Sequence, residues 1–154
     1  MKVIDFGLAR LVDAEVQGTL LTDVGRVKGT LPYMSPEQVR GNADEIDTRT
    51  DVYSLGVILY EMLTGVLPYD VSRAALPEAV RTICEESPRP ITRTWSGARR
   101  LDADIATIVG KTLEKEPARR YPSAQALAED VQRFLADQPI LARPPSAAYQ
   151  FRKL

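Results

Sequence analysis

Apolar residues crowd most densely between Val52 and Leu63. There Val52, Leu55, Val57, Ile58, Leu59, Met62 and Leu63 wrap nearly all round a helical wheel. The pattern predicts a helix over 50–65 that is buried on most faces, since no broad polar stripe is left to meet water. Asp51 lies at its start, and Gly65 with Pro68 stops it. Three amphipathic helices follow. Leu76-Pro77 opens one whose face includes Val80 and Ile83, closing before Ser87-Pro88. Ile105, Ile108, Val109 and Leu113 mark the next, with Asp102 as cap. Leu127, Val131, Phe134 and Leu135 mark the third, capped by Ser123. Upstream, Ser35-Pro36-Glu37-Gln38 reads as a short helix start with a capping box, and Gly41 ends it. Lys2-Val3-Ile4 reads as one short strand, and residues 88–100 as a polar connection holding Trp95. From Leu8 to Lys28 no period holds, which marks a long loop of the kind that is usually functional. The proline-broken end, from Pro139 onward, reads as extended, with its aromatics packed back on the body. The expectation is a mainly α domain of about five helices with minimal strand.

The 154 residues are enough to bury a sizeable core. A hydrophobic share of 44% and a charged share of 27% describe an ordinary globular chain rather than a disordered one. The net charge of −1 gives no bulk attraction to nucleic acid. One cysteine, Cys84, cannot form an internal disulfide and reads as a small apolar residue on a helix face. The absence of histidine removes histidine-based triads and the common zinc sites. The first residues have no apolar signal core, and the run 55–63 is too short for a membrane span. A cytoplasmic location is expected.

The candidate chemistry begins at Asp5-Phe6-Gly7. A carboxylate suits a hard cation such as magnesium, and glycine permits a tight turn beside it. Taken alone, the tripeptide reads more readily as a polar turn after a strand. Three further stretches change its weight. "GTLPYMSPE" (29–37) resembles the end of a protein-kinase activation segment, with Ser35-Pro36-Glu37 where that family usually has Ala-Pro-Glu. "DVYSLG" (51–56) resembles the start of the central helix of the kinase C-lobe, with Tyr53 where many members have tryptophan. "EKEPARRYPS" (114–123) resembles the late kinase segment that carries an arginine, here Arg120. The four fall in the family's order from residue 2 to the end, and the wording of 47–70 and 139–154 is most similar to bacterial serine/threonine kinases.

The resemblance implies a kinase C-lobe fragment, with residues 1–138 a partial kinase domain and 139–154 its extended tail. It implies that Asp5 binds magnesium bridging the phosphates of ATP, with Phe6 and Gly7 beside it. Residues 8–34 become the activation loop. Thr22, then Thr19, are the positions for activating phosphorylation, which would add roughly −1.5 to −2 charge. Thr30 supports the catalytic aspartate near the substrate. Glu37 and Arg120 form a buried ion pair, and Asp51 braces the catalytic loop or caps its own helix. Protein substrates bearing serine or threonine, and another kinase chain, are the implied partners.

The glycine-rich loop, the strand lysine, the catalytic aspartate and the second-magnesium asparagine precede Asp-Phe-Gly in that family. Only Met1 to Ile4 precede it here. No catalytic residue is therefore retained, and these residues alone are expected neither to transfer phosphate nor to hold ATP and Mg2+. Three readings stand: a piece of a serine/threonine kinase whose start was lost and whose tail is clipped, a short non-catalytic decoy or binding module, and an unrelated helical domain. The unmatched face of helix 50–65 predicts an exposed apolar patch, with marginal stability or self-association.

Overall fold

The longest helix organises the chain. In the computed structural model, which describes residues 30–98 and 100–143, it runs from Thr48 to Thr64 (α2). Asp47 caps it by accepting from the Arg49 amide at 2.7 Å, and Gly65 closes it in the left-handed region at φ 75°. The helix thus starts two residues earlier than its apolar pattern, and Asp47, not Asp51, is the cap. Asp51 sits exposed in the first turn.

Five other helices surround it: α1 (Pro36–Arg40), α3 (Leu76–Glu85), α4 (Ile91–Thr94), α5 (Ala103–Thr112) and α6 (Ala124–Leu135). Three 3-10 turns, at Leu31–Tyr33, Ala43–Glu45 and Pro117–Arg119, link them, and no strand occurs among the described residues. The capping box at Ser35 and Gln38, the caps at Asp102 and Ser123, and the left-handed Gly41 stand where the pattern put them. The expected count of five misses α4, a single turn inside the supposed polar connection. Pro90 fixes its entry and Ile91 is buried, but one turn is too short to show a period.

The core has two parts. The larger gathers Tyr53, Val57 and Tyr60 of α2 with Leu31, Met34, Tyr69, Ile83, Val109 and Leu113. The smaller gathers Val52 with Ile108, Tyr121, Leu127 and Ile140, so the chain at 140 packs back on the body. Leu59 touches both. Where α2 crosses α5, Gly56 is required: a Cβ there would lie 2.1 Å from Thr112 Oγ1.

Two expectations about apolar faces need correction. Leu55, Ile58 and Met62 are 39, 41 and 77% exposed, so α2 is buried on its Val52–Tyr53–Val57–Tyr60 side and open along an apolar stripe. Leu135, counted among the core positions of α6, is 76% exposed, because the helix ends there and only Leu127 of that face is fully buried. The strand at 2–4, the loop at 8–28 and the tail from 144 lie outside the described residues.

Candidate functional site

The segment entering α1 is held along its whole length. Thr30 is exposed and begins the Leu31–Tyr33 turn, where its carbonyl accepts from the Tyr33 amide and its side chain caps nothing. The Tyr33 hydroxyl donates to Glu61 Oε2 at 2.7 Å, which with burial raises the phenol's pKa. Ser54 of α2 donates to the Tyr33 carbonyl at 2.9 Å. Ser35 then caps α1, and Pro36 and Glu37 are buried directly after it.

Glu37 and Arg120 meet beneath this segment. Arg120 Nη1 and Nη2 donate to Glu37 Oε1 and Oε2 at 2.7 and 2.8 Å, with both side chains essentially shut off from solvent. The paired geometry matches the planar guanidinium fork to the carboxylate. Every other direction is also filled. Arg120 donates to the carbonyls of Glu114 (2.7 Å), Lys115 (3.0 Å) and Arg49 (3.1 Å), and Thr50 donates to Glu37 Oε1 at 2.9 Å. The guanidinium carbon stands 4.9 Å from the centre of the Tyr53 ring. Burial alone would push the Glu37 carboxyl up, but the Arg120 bonds and the arginine's charge outweigh it, and the group is held below the usual carboxylate range. Burial also pushes the Tyr53 phenol up to about 12.

Beside the pair lies a lysine that pattern reading missed. Lys115 donates to the Tyr69 hydroxyl at 2.7 Å and to the Ile83 carbonyl, so it ties the chain before Arg120 to α3. Burial lowers its pKa to about 8. Cys84 is buried on α3 with Sγ 3.7 Å from the Pro36 carbonyl, a packing position between α3 and α1. Two buried aspartates were missed as well. Asp130 accepts from Tyr121 at 2.9 Å and from the amides of Leu141 and Ala142, and Asp104 pairs with Arg143 at 3.0 Å. A lone acid on a helix that reads as amphipathic gives no sign of this; only the chain's return at 140–143 does.

The structure thus brings Glu37 and Arg120 together and places Thr30 on the surface, seven positions before Glu37. It leaves Asp51 exposed and apart from this network. Asp5, Phe6, Gly7, Thr19 and Thr22 lie outside the described residues. Among the described residues no group of three Cys, Asp or Glu side chains is arranged to hold a metal ion.

A helical body with a proline-led turn latched to it through a buried glutamate–arginine fork is the architecture of a kinase C-lobe, and comparison with known families agrees. Residues 1–131 match the protein kinase domain, and the chain belongs to that family. Its relatives are bacterial serine/threonine kinases. It is 42% identical over 132 residues to serine/threonine-protein kinase pkn3 of Myxococcus xanthus, covering 86% of this chain and 23% of that protein. It is 40% identical over 141 residues to serine/threonine-protein kinase PknB of Mycobacterium tuberculosis, covering 90% of this chain and 21% of that protein. The PknB of Mycobacterium leprae is 38% identical over 139 residues. The chain therefore spans about a fifth of the length of these relatives.

Proposed function

We propose that these residues form the helical lobe of a serine/threonine protein kinase, which transfers the ATP γ-phosphate to serine or threonine of protein substrates once joined to the nucleotide-binding parts. The observation that carries this is the Glu37–Arg120 fork, which anchors the Thr30–Glu37 segment to the helical body. In this reading residues 1–138 belong to the kinase domain and 139–154 to its tail. Asp5 ligates magnesium beside Phe6 and Gly7, Thr22 or Thr19 takes the activating phosphate, and Thr30 faces the substrate. Magnesium held there would supply positive charge against the phosphates. The task of the described residues is positioning: they fix where the segment ends and hold it rigid. Catalysis of this kind rests on position and charge stabilisation. The 154 residues contain no glycine-rich loop and no histidine-arginine-aspartate motif. Alone they neither turn over ATP nor hold it with magnesium. A cytoplasmic setting fits this role, and no helix among the described residues is long and apolar enough to cross a membrane.

The test is a phosphotransfer assay with ATP and magnesium on two proteins. One is the 154-residue chain. The other is a fusion in which the preceding half of the pkn3 kinase domain is placed before it. The expected result is silence from the first and turnover from the second, abolished by Asp5→Ala. Turnover by the chain alone that Asp5→Ala removes would overturn its inactivity. A folded but inactive fusion would favour a non-catalytic binding module.

A further inference from the structure

The run from Ser87 to Leu101 carries four of the chain's 20 basic residues, all arginine, and none of its 21 acidic ones. On this run the structure opens two neighbouring clefts that share Thr92 of α4. The first, of 210 Å³, is walled by Tyr60, Pro88, Pro90, Ile91, Val109 and Leu113, with Arg89 and Gly110 also lining it. Its surface is almost all carbon. A Cβ at Gly110 would meet nothing within 4 Å, so the cleft has open space on the α5 side. The second, of 400 Å³, is lined by Trp95, Gly97, Ala98, Arg100 and Leu101. Trp95 lies closely over Gly97, where a Cβ would come within 2.1 Å of the indole Cζ2.

Of the three described arginines on this run, only Arg89 meets a carboxylate among the described residues. Arg89 reaches Asp70 only at 3.5 Å, on an exposed rim. Arg93 and Arg100 are exposed and make no salt bridge among the described residues. The two carboxylates that flank the run are both occupied: Glu86 pairs with Arg81 at 3.0 Å, and Asp102 caps α5, accepting from the Asp104 amide at 2.7 Å.

We propose that this surface docks an acidic peptide segment of a partner protein. One aliphatic side chain of that segment fills the apolar cleft, and carboxylates flanking it meet Arg93 and Arg100. Charge complementarity selects the acidic partner. The carbon-lined cleft selects an aliphatic anchor over a nucleobase, whose polar edges would go unpaired there. The inference is independent of phosphoryl transfer, because binding alone reads it.

Trp95 is the only tryptophan, so its fluorescence reports occupancy directly. The full chain is titrated with a fluorescein-free peptide of glutamates around a central leucine, following Trp95 emission, and with a labelled copy by anisotropy. Binding is expected to weaken with added salt. Replacing the peptide's leucine by alanine, or filling the cleft with Gly110→Leu, should each cost about tenfold to a hundredfold in affinity. Arg93→Glu with Arg100→Glu should cost about tenfold or more. Far-UV circular dichroism checks that each variant is folded; all three positions are exposed. The proposal fails if neither signal changes, if the folded Gly110→Leu chain binds as tightly as the parent, or if a lysine-for-glutamate peptide binds equally well. Tighter binding to single-stranded RNA or to anionic vesicles than to the peptide would also overturn it and reassign the surface.

Discussion

Replacing Arg120 with methionine removes five hydrogen bonds at one stroke, two to Glu37 and three to the carbonyls of Arg49, Glu114 and Lys115. The Glu37 carboxylate stays buried with no charge to answer it, only the Thr50 hydroxyl and its own backbone amide. Breaking a buried pair by removing one partner costs about 3–5 kcal/mol, and three orphaned carbonyls place this variant at the upper end. Glu37→Gln keeps the shape and leaves the guanidinium its three carbonyl acceptors, so about 3 kcal/mol is expected. The double variant should cost less than the two singles together by about 1–3 kcal/mol, since each change removes the group that the other orphans. Domains have only about 5–15 kcal/mol to lose. Urea unfolding, followed by circular dichroism at neutral pH, is therefore best run with a stabilising osmolyte present. Acid titration supplies a second readout. The Glu37 carboxyl is held below its ordinary 4.5, so its contribution is complete above that value and is lost as pH falls through the lower, folded one. Glu37→Gln should flatten that acid limb. Single variants that each cost under about 1 kcal/mol, the range of surface pairs, or costs that simply add, would refute the reasoning.

Gly56→Ala forces a Cβ to within 2.1 Å of Thr112 Oγ1, and thermal unfolding should show a loss of about 1–3 kcal/mol despite alanine's better helix propensity. Lys115 has a folded pKa of about 8 against an ordinary 10.5, so the unfolded chain holds its proton more tightly. Stability should therefore rise as pH climbs from about 8 toward 10, and Lys115→Met should remove that slope; an unchanged slope in urea midpoints counts against the assignment. The open stripe on α2 predicts self-association. Ile58→Glu with Met62→Glu should shift sedimentation toward monomer without lowering the thermal midpoint, because both side chains already face solvent.

Local chemistry was the most legible part of the fold. A serine–proline–glutamate–glutamine start and a closing glycine specify α1 within seven residues, and the caps at Asp102 and Ser123 follow the same logic. What escaped was set by tertiary contact. The four residues of α4 are too few to display a period, and Asp47 takes the cap from Asp51 because the chain turns helical at Thr48, before its apolar residues begin. Lys115 and Asp104 take their partners from segments 32 to 46 positions away, and Asp130 from the chain's return at 141–142, so no local pattern marks them. Glu37 and Arg120 stand 83 positions apart, which no local pattern connects; only the family resemblance put the two side by side.

The two faces of α2 belong to different cores: Val52 to one, Tyr53, Val57 and Tyr60 to the other, with Leu59 shared. Neither core is a unit that can open by itself. If the Tyr121–Leu127–Ile140 side loosens, α2 loses the packing of Val52 and part of that of Leu59, and the Tyr53–Ile83 side loses support behind the helix. Local opening in most proteins follows boundaries where few contacts cross. Here the boundary runs lengthwise through a single helix. Amide exchange should therefore find the slowest protons along α2 and the same opening free energy on both sides of it, a molecule that lets go all at once.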